Sequence, residues 1–166
     1  MNIIQCYAPT NNSNNDIKDQ RLQSIIEKCS RKNHTILMRD LNAKVGIDIT
    51  RYEDIMRRHG LDERNENGER FANLCAFNKL VIRGTLFPHK RIHKATWISP
   101  DHTTENEIDH ICINKKFQRT MEYVITRRGA DLASDHHLVV ANLKLRLKKN
   151  WTTGQTALQR FNTAFL

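Results

Sequence analysis

The stretch at residues 139–148 constrains the fold most. Val139, Ala141, Leu143, Leu145 and Leu147 alternate there with Val140, Asn142, Lys144, Arg146 and Lys148. A period of two puts one set of side chains on each face of an extended strand, so one face is buried and the other is wet. Such a strand needs partner strands and a second layer over its apolar face. The chain offers both. Residues 2–8 read as a short strand stopped by Pro9, and 34–38, 80–82, 95–99, 108–113 and 123–127 are further short apolar runs. Two helical patterns lie between them. Residues 16–32 carry Leu22, Ile25, Ile26 and Cys29 at the spacing of one helix face, with Asp16 placed to cap the first turn, and 68–78 carries Phe71, Leu74 and Cys75. Residues 39–67 are polar, broken by Gly46 and Gly60, and read mostly as loop. The interleaving predicts one layered α/β or α+β domain over 1–149, and the weakly patterned residues 150–166 read as a tail or linker.

Composition removes several classes. At 166 residues, one domain with a single core is expected. The longest uncharged apolar runs, such as Leu138 to Ala141, are far short of the ~18 residues of a membrane span. The first residues show neither a basic start nor a continuous apolar core, so a secretory leader is not expected. Cysteines stand singly at 6, 29, 75 and 112, which suggests neither a disulfide framework nor a zinc ribbon. His89 and His93 are spaced like a metal pair, but no thiol pair completes a zinc site. An intracellular protein, nuclear or cytoplasmic and not secreted, is the expectation. The net charge is +9 and the sequence pI about 9.7. That excess either keeps the chain soluble or attracts a polyanion such as nucleic acid.

Four polar clusters sit at the ends of apolar runs, where loops present side chains from a rigid base. Tyr7 precedes Ala8-Pro9-Thr10; its hydroxyl could reach a phosphate oxygen, or its ring could simply be half-buried. Asp40-Leu41-Asn42 follows Ile36-Leu37-Met38. In an extended chain Asp40 and Asn42 share a face and could hold a hard cation or a water; equally, both residue types start turns. Asp109 lies within Ile108 to Ile113, where a carboxylate needs a partner such as an imidazole. Asp135 and His136 are adjacent and point oppositely in an extended chain, so they would serve different sites. Basic residues cluster at 89–94, 115–116, 127–128 and 144–149. Lys90, Arg91 and Lys94 flank Thr96-Trp97 and read as a rim facing nucleic acid, while 144–149 reads as a solvated strand face.

In order, Tyr-x-Pro, Asp-x-Asn, Thr-Trp, Ile-Asp-His and Ser-Asp-His resemble the signature of the endonuclease/exonuclease/phosphatase superfamily. Within it the sequence is most similar to the apurinic-type endonuclease region of non-LTR retrotransposons, including their craniofacial development protein 2-like host copies. Asn67-Gly68-Glu69-Arg70-Phe71 and Ser99-Pro100-Asp101 add to the resemblance, which covers nearly all of residues 3–150. It implies a four-layer α/β/β/α sandwich that cuts phosphodiesters with Mg²⁺ or Mn²⁺, with DNA as partner. Tyr7, Asp40, Asn42, Asp109 and His136 would be catalytic, and Asp135 with Asp40 would hold the metal. Thr96, Trp97, Lys90, Arg91 and Lys94 would face nucleic acid.

Two departures shape the expectation. Relatives place an Asn-bearing strand and a metal-ligating Glu ahead of Tyr-x-Pro, and this sequence begins at that element, as if N-terminally truncated. Compromised activity is therefore expected, with an inactive fragment that binds nucleic acid or protein as the alternative. An incomplete sandwich would also expose apolar sheet and favour self-association. Second, Arg39 stands where the family has Gly and would strain the turn or push a guanidinium into the site, or else lend its charge to binding phosphate.

Overall fold

The computed structural model describes residues 1–7, 15–40, 42–129 and 134–145. Its elements are β1 (Asn2–Tyr7), α1 (Asn15–Lys28), β2 (Thr35–Asp40), α2 (Glu66–Asn78), β3 (Leu80–Ile82), β4 (Trp97–Ile98), β5 (Glu105–Asn106), β6 (Asp109–Asn114), β7 (Met121–Arg127) and β8 (Leu138–Leu143). Pro9, Thr10, the end of the alternating run and residues 150–166 lie outside the described residues.

The central sheet has the order β1-β2-β6-β3. β1 and β2 are parallel and joined through α1, as a parallel pair requires a crossover; β6 is antiparallel to β2 and β3. The strand period sorts its side chains. Ile4, Leu37, Leu80, Ile82 and Cys112 pack with Leu22 and Ile26 of α1 and Phe71, Leu74 and Cys75 of α2. Ile36, Ile111 and Ile113 face the other way, onto Met121 and Val124 of β7 and Val139, Ala141 and Leu143 of β8. Of the alternating apolar set, Val139, Ala141 and Leu143 thus pack inward, whereas β8 ends at Leu143 and Leu145 beyond it is exposed. Helices, sheet and β7–β8 ribbon stack as α, β and β layers, an α/β sandwich of the expected type.

Several local expectations shift. α1 covers Asn15–Lys28, so Asp16 lies inside its first turn, and residues after Lys28 leave the helix. Ile25 is 47% exposed, because the buried stripe runs through Leu22, Ile26 and Cys29 and Ile25 falls on its flank. β2 extends to Asp40, which puts Arg39 and Asp40 on opposite faces of the strand. α2 begins two residues earlier than the apolar pattern predicts, because Asn65 caps it and the acidic Glu66 and Glu69 suit its first turn.

Candidate active site

Strand register builds the site. Tyr7 pairs with Asp40 across β1–β2, and Asp40 with Asp109 across β2–β6. The three form one row at the sheet's end, and Asp40 and Asp109 project from the face that carries Met38 and Ile111 toward the β7–β8 ribbon. The segment before β8 brings His136 to the same place. It is anchored on β4: Trp97 bridges His136, Ile98 N–H donates to Asp135 O (3.0 Å), and His137 N–H donates to Thr96 O (2.7 Å).

His136 Nδ1 lies 3.0 Å from Asp109 Oδ2, and its Nε2 lies 4.0 Å from Asp40 Oδ2. One ligand atom from each of Asp40, Asp109 and His136 falls within 4.8 Å of the others, the one such group among the described residues. All three are partly exposed, and a cavity of about 310 Å³ opens onto them over Met38, Ile111 and Leu138. Burial, and then the neighbouring Asp109 charge, raise the Asp40 pKa above the ordinary carboxylate value; the Asn42 amide pulls it back. Tyr7, 73% exposed, stands at the open end of the row.

The other expected site residues divide. Asn42 does not share an extended face with Asp40: its φ of 54° turns the chain, and its backbone N–H donates to Asp40 Oδ1 (3.3 Å) in an Asx-type turn. The Asp135 carboxylate accepts from Trp97 Nε1 (2.7 Å) and is not one of the three converging groups, although its charge still acts on Asp40. Thr96 cannot face nucleic acid, because it is buried; its Oγ1 accepts from the Ile108 and Asp109 N–H groups (3.0 Å each) and so fixes the start of β6. Of the basic rim, Lys90 is exposed, Arg91 pairs with Asp62 (3.1 Å), and Lys94 Nζ donates to His59 O. Arg39 neither enters the site nor strains its turn. On the helix face of β2 it pairs with Asp19 of α1 (2.9 Å) and lies over the Phe71 ring.

Three further groups lie near the site, and no role of their own was read for them in the sequence. His110 lies on the helix face, stacked on Phe71, and its Nε2 is 2.6 Å from Ala43 O, just beyond the Asp40 turn. Glu107 is buried beside the start of β6. Asn65 contacts the Asp40 turn from α2; its signal was an Asn followed by Glu66 and Glu69 ahead of an apolar helix face.

Comparison with known proteins identifies the family and the fold. A family model described as endonuclease-reverse transcriptase matches residues 1–140. Craniofacial development protein 2 of Bos taurus is 35% identical over 153 residues, covering 89% of this chain and 25% of that protein. The Tragulus javanicus protein of the same name is also 35% identical, with 26% of its length covered. The chain thus spans about a quarter of the curated relatives it matches. Among solved structures, the endonuclease domain of TRAS1, a telomere-specific non-LTR retrotransposon, aligns with TM-score 0.59 at 15% identity, over 85% of this chain and 56% of that one. A 3'-5' exonuclease from Neisseria meningitidis aligns with TM-score 0.56 at 17% identity, over 78% of this chain and 53% of its own. The row of Tyr7, Asp40 and Asp109, met by His136, is therefore carried on a shared fold, and the chain belongs to the endonuclease–reverse transcriptase family of endonuclease/exonuclease/phosphatase domains.

Proposed function

We propose that this chain is a divalent-metal-dependent phosphodiesterase acting on DNA, of retrotransposon origin. The observation that carries the reading is the convergence of Asp40, Asp109 and His136, far apart in sequence, onto one cavity. The donors fit a hard cation. Two carboxylates face each other across a strand pair, and the Asp109 charge helps raise the Asp40 pKa, a repulsion that Mg²⁺ or Mn²⁺ relieves. Asp40 and Asp109 would hold the ion, with water completing its shell. When bound, the cation neutralises charge that develops on the phosphoryl oxygens.

The chain's own groups supply the rest. Asp40 takes the proton of the attacking water or returns one to the leaving oxygen. His136, oriented through Nδ1 by Asp109, directs Nε2 toward the phosphate and stabilises its growing negative charge. The exposed Tyr7 hydroxyl contacts the same phosphate from β1. Trp97, bridged to His136, and the exposed Lys90 would face the duplex, which the net charge of +9 draws in. The open edge of β1 is also the surface through which copies of the chain associate.

Nicking of supercoiled plasmid with and without Mg²⁺ or Mn²⁺ tests the reading. Metal-dependent nicking should fall at least about a hundredfold in both Asp40→Ala and His136→Ala. Nicking that survives both substitutions would refute it. One observation favours the alternative of a nucleic-acid-binding module without turnover. The Asp135 carboxylate, expected as a metal ligand, is tied to Trp97 instead. In that case the chain binds duplex, and metal changes nothing.

A further inference from the structure

Asn65 lies outside the cavity, on the polar segment before α2, yet its side chain meets three backbone groups. Oδ1 accepts from Gly68 N–H (2.8 Å), the bond that caps α2, and from Lys44 N–H (3.0 Å). Nδ2 donates to Asn42 O (2.8 Å), and the Asn65 N–H donates to Lys44 O (3.2 Å). Asn42 in turn donates its N–H to Asp40 Oδ1, while Asp40 Oδ2 is the atom nearest His136 Nε2. A continuous chain of bonds thus runs from the start of α2 to the carboxylate of the site.

We propose that Asn65 is a positioning residue that sets the orientation of the Asp40 carboxylate through the Asn42 turn. A helix cap needs only an acceptor, and Asp or Ser supplies one as well as Asn does. The donor half of the Asn65 amide therefore has no part in capping. It holds the Asn42 carbonyl, and with it a residue in the left-handed region (φ 54°) whose N–H defines one oxygen of Asp40. Gly68 lets the two segments meet: a Cβ there would lie 1.8 Å from Lys44 O.

The inference rests on the proposed catalytic reading, and its test separates the two. Asn65→Asp keeps both accepting bonds and loses the donor; Asn65→Ser keeps a cap without the reach to Asn42; Asn65→Ala removes everything. In the full chain, Asn65→Asp and Asn65→Ser, which retain the cap, should lower the thermal midpoint less than Asn65→Ala does. Each should lower kcat for metal-dependent nicking about tenfold with KM unchanged. Amide exchange at Asn42 should accelerate about tenfold. Wild-type exchange at Asn42 and wild-type kcat in both variants would overturn the proposal, as would kcat losses in all three that merely track lost stability. If wild-type protein does not nick, the catalytic reading falls while exchange at Asn42 still decides the positioning role.

Discussion

Glu107 sits in a space that fits little else. A Cβ on Gly84 would come within 2.6 Å of its Oε1, and its Oε2 is buried with no hydrogen-bond partner among the described residues. Desolvation pushes its pKa up to about 7; the Lys94 charge and the Leu61 N–H pull down, and Asp62 pushes up. The folded protein therefore holds this proton between about pH 4.5 and 7, where the unfolded chain has released it. Stability from this group is full below about pH 4.5 and is lost as pH rises through about 7, by about 3 kcal/mol in all. Glu107→Gln should flatten that slope and raise stability at pH 8, as measured by urea unfolding from pH 5 to 8. A wild-type slope in the variant would place the ionisation elsewhere. The run around Asp109 was legible as a strand carrying an acid, but the burial of Glu107 two residues earlier was not. A Glu beside an apolar strand looks the same in sequence whether a loop covers it or water does.

At the scale of elements, β4 acts as a clip between the Thr96 segment and the approach to β8. Thr96 ties the Ile108 and Asp109 N–H groups, and the strand pairing beside it places His136. Thr96→Val keeps the shape and removes the acceptor, leaving two buried donors unpaired. The variant should lose about 2 kcal/mol of stability. Its affinity for duplex should stay unchanged in fluorescence anisotropy, because the hydroxyl never reaches the surface. Weakened DNA binding in a well-folded variant would restore the nucleic-acid role expected for Thr96. α1 is fastened differently. Arg39 is buried on Asp19, and Arg70 also approaches that carboxylate at 3.9 Å. The family's Gly position thus carries a guanidinium that docks a helix instead of disturbing the site.

At the scale of the whole molecule, the central sheet ends on β1, which pairs with β2 alone among the described residues. Met1 and Ile3 are 58% and 57% exposed there, whereas Ile4, on the opposite face of the strand, is buried against the helices. An exposed strand edge with apolar side chains is a template for another chain. Ile3→Lys should shift concentrated protein toward monomer in sedimentation velocity without moving the nicking rate per chain. Unchanged sedimentation would place any self-association on another surface. The net charge of +9 opposes association at low salt, so the contrast should be larger when salt screens it.

Sequence alone determined the strand and helix types, the α/β layering, and which residues could meet at strand ends, because two-residue and helical periods are local properties of side-chain direction. Tertiary structure alone decided which of those polar residues share a cavity. The register of β1, β2 and β6 aligns Tyr7, Asp40 and Asp109. The clip at β4 brings in His136, and Asn65 crosses from another element to hold the Asn42 turn. Register and cross-element bonds depend on what packs over each face, and that information is spread over the whole chain.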